Sequence, residues 1–172
     1  MAKDDGTVLT HSLLKKMIFY DEHTGIFKWI HHPSPRARMV GKEAGSLSSE
    51  GYVNVRVFGK QYKGGRLAWF WMTGSWPKKH EEIDHKNLNK SDNRWNNLRI
   101  ASLSQNRANT PLRSHNTSGR KGVSWKKQYK KWQATIRVDG IKKHLGYTDD
   151  IEDAARLYSE AAKHYFGDFS NV

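Results

Sequence analysis

The chain of 172 residues contains no cysteine. It can therefore form no disulfide and no cysteine-ligated zinc site, and the absence fits a reducing cytoplasm. It also lacks an apolar run of the about 18 residues that a membrane-crossing helix needs. Its first residues, MAKDDGTVLT, lack the apolar core of a secretory signal. A soluble, cytoplasmic protein is expected. No segment repeats at a fixed period. Acidic residues are scarce, with 17 Asp and Glu against 30 Lys and Arg, which leaves a net charge of +13. Such a field attracts polyanions, so nucleic acid is the expected partner. A membrane surface also draws positive charge, but only through a basic amphipathic helix, and the longest helical pattern here is acidic. Seven Trp, seven Tyr and six Phe supply core material for one or two small domains.

Three sections follow one another. In THSLLKKMIFY, apolar Leu13, Leu14, Met17 and Ile18 have the spacing of a short amphipathic helix with Thr10 as N-cap. From Asp21 to about Phe70 the pattern is strand-like, in TGIFKWI and GYVNVRVFG, while RLAWFWMTG reads as a core helix or strand ending at Gly74. The second section holds EEIDH and NLRIA as strands joined by the polar loop KNLNKSDNRWN. A helix then starts at Ser102, with Gln105 completing a capping box. The third section follows a polar, basic stretch, PLRSHNTSGRKG. It carries three short strands near 122–127, 132–138 and 141–146, then a helix from about Ile151 to Phe166 with Gly167 at its C-terminal cap.

Charge divides this last section. Arg113 to His144 holds ten Lys or Arg against Asp139 alone, whereas Asp149 to Asp168 holds six acids against two bases. A helix covering one face of the sheet and a basic face turned outward is the expected arrangement. A merely solvated charged face is the plain alternative, but so many like charges repel one another without a polyanion nearby.

The stretch Ile83 to Asn109 places seven asparagines around the pair Asp84-His85. Hydrolysis of a phosphodiester with metal assistance needs an oxygen ligand for a hard cation and a base for the attacking water. Asp84 supplies the ligand and His85 the base. Asn106, in the first turn after Ser102, offers a carbonyl oxygen suited to Mg2+. Adjacent strand residues point to opposite faces, so the pair works together only if the strand ends or twists there. His31, His32 and His80 have no carboxylate at ligand spacing and read as surface residues. Trp69, Phe70 and Trp71 read as core rather than as a stacking platform.

The run Asp84-His85, then Asn97-Leu98-Arg99, then Asn106 resembles the HNH (ββα-metal) motif of phage and intron-encoded homing endonucleases, in the variant whose last histidine is asparagine. YDEHTGIFKW, GKEAGSLSSEGYVNV and RLAWFWMTGSWP are similar to the N-terminal parts of those proteins. SGRKGVSWKKQYKKWQATIRVDGIKKHLGYTDDIEDAARLYSEAAKHYFGDF resembles the plant ethylene-response-factor type of DNA-binding domain, which such endonucleases often carry. The resemblance assigns Asp84 and Asn106 to the metal, His85 to the general base, and to Asn97 the role of tying the loop to the ββα frame so that His85 stays oriented. Asn87, Asn89, Asn93 and Asn96 remain loop formers, and Asn109 a helix or DNA-contact residue. Gly65-Arg66-Leu67 departs from the His-Arg-Leu usual in relatives. In the C-terminal sheet the resemblance points to Lys121, Ser124, Lys126, Tyr129, Thr135, Arg137, Lys142 and His144 as the groove-facing set. Lysine lacks arginine's bidentate contact to guanine, so base preference should differ from that of the plant factors.

The fold expected is α+β. Residues 1–110 form a β-rich endonuclease domain with a ββα-metal core at about 80–110, residues 111–118 a basic linker, and 119–172 a three-stranded antiparallel sheet packed on one helix. The function expected is site-specific cleavage of duplex DNA with one divalent metal, Mg2+ or else Mn2+. One active site per chain nicks one strand, so a double-strand break takes a dimer or a second visit. The rival readings are a catalytically inactive DNA-binding regulator derived from such an enzyme, and an RNA-binding protein, which the lack of an aromatic stacking pattern on the basic strands disfavours.

Overall fold

The computed structural model describes residues 8–32 and 37–172; the segment 1–7, within the stretch that bears on a secretory signal, lies outside them. The architecture is α+β, with small antiparallel sheets and four helices, and it divides into two compact units, the first ending at Ile100 and the second beginning at Ala101. The division falls inside a strand rather than at the linker boundary expected after 110. Residues 101–110 therefore group with the C-terminal unit. No described helix is long and apolar enough to cross a membrane.

In the first unit, helix α1 (His11–Met17) is capped by Thr10, whose hydroxyl accepts from the Leu13 amide, and it buries Leu14 and Met17. It stops earlier than its periodicity implies. Ile18–Tyr20 instead forms strand β1, paired antiparallel with β2 (Phe27–Trp29), since β-branched and aromatic residues gain more from cross-strand packing. Strands β3 (Ser46–Leu47), β4 (Val53–Val57) and β5 (Lys60–Lys63) form a second sheet in the order β3-β4-β5.

The strand-like pattern expected to run to Phe70 ends at Gly64, where helix α2 (Gly64–Thr73) begins; Gly74 caps it in the left-handed conformation. The apolar run favours helix because it presents Leu67, Ala68 and Phe70 to the core while Trp69 reaches Trp95 and Trp71 reaches Tyr20. The indole of Trp71 also donates to the Ile18 carbonyl. Phe70 is buried in the core and Trp71 packs against it, while Trp69 is half-buried beside Trp95. Strand β6 (Glu81–His85) pairs with β7 (Leu98–Ser102).

In the second unit, helix α3 (Leu103–Ala108) begins with both halves of the capping box, Ser102 Oγ accepting from the Gln105 amide and Gln105 Oε1 from the Ser102 amide. Strands β8 (Val123–Lys126), β9 (Lys131–Val138) and β10 (Ile141–Thr148) form an antiparallel sheet in the order β10-β9-β8. Helix α4 (Ile151–Phe166), capped by Asp150, packs across all three strands. Val123, Ala134 and Ile136 on the strands meet Ala154, Ala162 and Phe166 on the helix. Gly122 allows this closeness, because a Cβ there would meet the Tyr158 ring and lie 2.5 Å from the Thr135 carbonyl oxygen, at a φ of +67°.

Candidate active site and nucleic-acid face

The polar segment between β6 and β7 is held by its asparagines. Asn87 Oδ1 accepts from the Asn89 amide, and Asn89 Oδ1 accepts from the amide and hydroxyl of Ser91. These short-range bonds replace the ladder that asparagine would weaken. Asp92 receives Asn87 Nδ2 on one oxygen and the Arg94 guanidinium on both. The Arg94 contact pulls its pKa down to about 2. Asn97 closes the loop at its base, accepting from the Asn87 amide at 3.0 Å and donating to the Asp92 carbonyl at 2.8 Å. Asn96 contributes a backbone carbonyl to Lys86 Nζ.

Strand β6 ends at His85, whose carbonyl accepts from the Leu88 amide in a turn that takes Leu88 to positive φ. Asp84 and His85 at this strand end are both buried, at 4% and 6% exposure. Arg99, directly after Asn97-Leu98, donates Nε to Asp84 Oδ2 at 2.8 Å. The carboxylate is thus fixed in orientation and matched in charge away from bulk water.

His85 is oriented by Asn93. Its Nε2 lies 3.3 Å from Asn93 Oδ1, and the Asn93 Nδ2 donates to the Ser91 carbonyl, which fixes which way the amide faces. With Asn93 Oδ1 as acceptor, the contact favours the tautomer protonated at Nε2. Burial pushes the imidazole below its ordinary pKa, with the Asn93 bond opposing. Asn93 is itself 1% exposed. Tyr20 donates its hydroxyl to the Asn93 carbonyl at 2.6 Å. Two glycines admit it: a Cβ on Gly64 would lie 2.7 Å from Asn93 Nδ2, and one on Gly25 would lie 2.6 Å from its carbonyl carbon. Gly65 faces the other side, where a Cβ would stand 3.4 Å from His85 Cε1 and 3.2 Å from Ile83 Cγ2.

Asp84, His85 and Asn97 all lie in the first unit, and two residues to which sequence reasoning gave no such part bond to the pair, Asn93 to His85 and Arg99 to Asp84. Nothing in the sequence separates Asn93 from its neighbours. Arg99 sits one residue beyond Leu98 within the quoted motif, and period-two pairing with the Asp84 strand could have found it. Asn106 lies on α3 in the second unit. Asn109 caps that helix and is buried. His32 packs its ring edge-on to Trp29, and His80 is exposed.

Asp84 and Asn106, the ligands expected from the sequence, each carry an oxygen donor, which suits a hard divalent cation. Among the described residues no group of three or more His, Cys, Asp or Glu side chains comes together. A cation of the Mg2+ kind keeps several waters and takes one or two protein carboxylates together with substrate phosphates, and the Asp84 carboxylate has the chemistry of such a ligand.

The second unit presents the sheet face opposite α4. Register places Ser124 beside Gln133, Lys126 beside Lys131, His144 beside Thr135 and Lys142 beside Arg137. Six of the groove-facing candidates therefore share one face. Tyr129 joins them through its ring contact with Tyr147. Sequence reasoning missed Gln133 and Tyr147, although strict alternation along β9 puts Gln133 with Thr135 and Arg137. Gln133 bonds both His144 Nδ1 and the Tyr147 hydroxyl. Lys121 departs from the expected set. It precedes β8, and its ammonium turns to the carbonyls of Ala108 and Asn171, where burial lowers its pKa.

Comparison with known proteins adds three findings. Protein 3.8 of Escherichia phage T7 is 34% identical over 76 residues, which is 44% of this chain and 63% of that protein, so the chain spans less than two thirds of that relative. A solved structure described as DNA binding and cleavage by the HNH homing endonuclease I-HmuI is similar at 20% identity, over 88% of this chain and 78% of that one, with a TM-score of 0.44. The family model for the HNH endonuclease matches residues 65–108, the stretch that runs from Gly65 through Asp84, His85 and Asn97 to α3.

Proposed function

We propose that this protein is a metal-dependent DNA endonuclease of the HNH kind that nicks one strand per active site, with its C-terminal sheet acting as a DNA-binding module of the ethylene-response-factor type. The observation that carries the reading is the buried Asp84–His85 pair at the end of β6, inside the segment matched by the HNH endonuclease family model.

His85, held by Asn93 at Nε2, is the base that takes a proton from the attacking water. Burial lowers its pKa, which favours the neutral ring that can accept a proton. Asp84 offers carboxylate oxygen to a divalent cation, and Arg99 holds that carboxylate in place. The reading keeps Asn106, by its place in the motif, as the second oxygen ligand. Mg2+ or Mn2+, when bound, supplies positive charge to the scissile phosphate and the leaving oxygen. Products with a 5′-phosphate and a 3′-hydroxyl follow by analogy with the family. The sheet face of Ser124, Lys126, Thr135, Arg137, Lys142 and His144 lies against duplex DNA.

Supercoiled plasmid incubated with Mg2+, Mn2+ or EDTA tests the reading. Divalent-dependent relaxation is expected. The regulator reading has one observation in its favour, that Arg99 already matches the charge of Asp84. Tight DNA binding with intact plasmid under every metal would establish it in place of the nuclease.

A further inference from the structure

The stretch between α3 and β8 reads in sequence as a linker, but in the second unit it forms a wall of a cavity of about 350 Å³. Arg107, Arg113, His115, Lys121, Arg137 and Lys142 line it, and none of its lining residues is acidic. Acids of the unit pair elsewhere: Glu152 with Arg120, Asp149 with Lys131 and Asp153 with Arg156. Yet among the described residues Arg107, Arg113, Lys121, Arg137 and Lys142 form no ion pair. Five cations held together without counter-charge repel one another, and an external anion would relieve that repulsion. The cavity also borders the sheet face, because Thr135, Arg137 and Lys142 belong to both.

The geometry points to an anion site that takes a backbone phosphate of the nucleic acid lying on the sheet, with Arg113 and His115 of the supposed linker as contact residues. The inference rests on the DNA-binding reading for the identity of the anion, but not for the site itself. Arg137 and Lys142 sit opposite each other at the β9–β10 end of the sheet, so a strand leaving the sheet face there passes into the cavity. Arginine suits a phosphodiester through its planar fork.

The test uses the full chain and a short fluorescent duplex across a potassium chloride series. R113Q and R113Q/H115Q should lower the slope of log affinity against log salt by about one unit for each phosphate they cease to neutralise. Both residues are exposed, so these substitutions leave the core intact. The same charge removed at Lys163, exposed on α4, should leave the slope unchanged. Wild-type slopes in the Arg113 variants overturn the inference. Should the wild type bind no duplex, the DNA reading fails instead, and the site is tested by amide shifts on titration with inorganic phosphate. Saturable shifts at Gly122, Arg137 and Lys142 would then assign it a phosphate from another source, and their absence would overturn it.

Discussion

Arg99 holds Asp84 through an Nε–Oδ2 bond of 2.8 Å, with side-chain exposures of 15% and 5%. Removing the arginine leaves a buried carboxylate without this counter-charge. Arg99→Ala should cost about 3 kcal/mol in urea unfolding, as broken buried pairs do. If Asp84 is a metal ligand, Mg2+ should raise the melting temperature of this variant more than that of the wild type. Equal shifts would count against the ligand assignment.

Asn93 presents its side-chain oxygen to Nε2 of His85, which favours the tautomer protonated there. Asn93→Ala should lower turnover roughly 10- to 100-fold, the range seen when the outer partner of a functional histidine is removed. The nitrogen NMR shifts of the ring should reveal a mixed tautomer. Asn93→Asp, which keeps an acceptor at that position, should restore the Nε2–H form. Gly64→Ala should act in the same direction as Asn93→Ala, since its Cβ intrudes on the Asn93 amide. A ring that stays Nε2-protonated in Asn93→Ala would refute this assignment.

Two groups make stability depend on pH, in separate windows. His85 is depressed on folding, so the unfolded chain takes up the proton first. Stability is full above the unfolded value of about 6.5 and falls as the pH drops below it. Asp92 is held at about 2. Its contribution is present above the unfolded value of about 3.9 and is lost as the pH falls from there through about 2. His85→Gln should erase the first slope and spare the second in denaturation curves collected from pH 8 to 3. A wild-type profile flat between about 7 and 5 would contradict the placement of His85.

Gly122 lies where β8 meets α4. Gly122→Ala should destabilise the second unit by more than about 2 kcal/mol, because it combines a strained positive φ with a clash against Tyr158 and backbone. Gly119→Ala has a similar φ but open space around the new methyl, and it should cost less. Calorimetry of the two variants checks the order.

Much of this architecture is legible along the chain. Helix α4 announces itself through Ile151, Ala154, Ala155 and Tyr158 at helical spacing and through Gly167 beyond its end, and α3 through Ser102 and Gln105. Ile18 to Tyr20 misleads because Ile18 continues the period of α1, and only the partner strand Phe27 to Trp29 decides against helix. The run around Trp69 to Trp71 is ambiguous because apolar residues on all sides erase periodicity. At the site, Asp84 and His85 stand out by chemistry. Asn93 does not, because its role depends on Tyr20, Gly25 and Gly64, which are distant in sequence and meet only in the folded unit. The cavity beside Arg113 is hidden for a related reason: a polar, basic composition reads alike whether the backbone wanders or folds into a wall.

The loop from Lys86 to Asn97 is stitched shut by side-chain amides and one aspartate, with Asn97 as the clasp. Small folds that close their loops around a cation collapse when it is stripped away. Here the stitching belongs to the chain itself, so under the proposed function a chelator would act as a switch on chemistry and not on shape. A metal-dependent nuclease built this way would be purified and stored in EDTA with its scaffold intact, then started at a chosen moment by adding the ion.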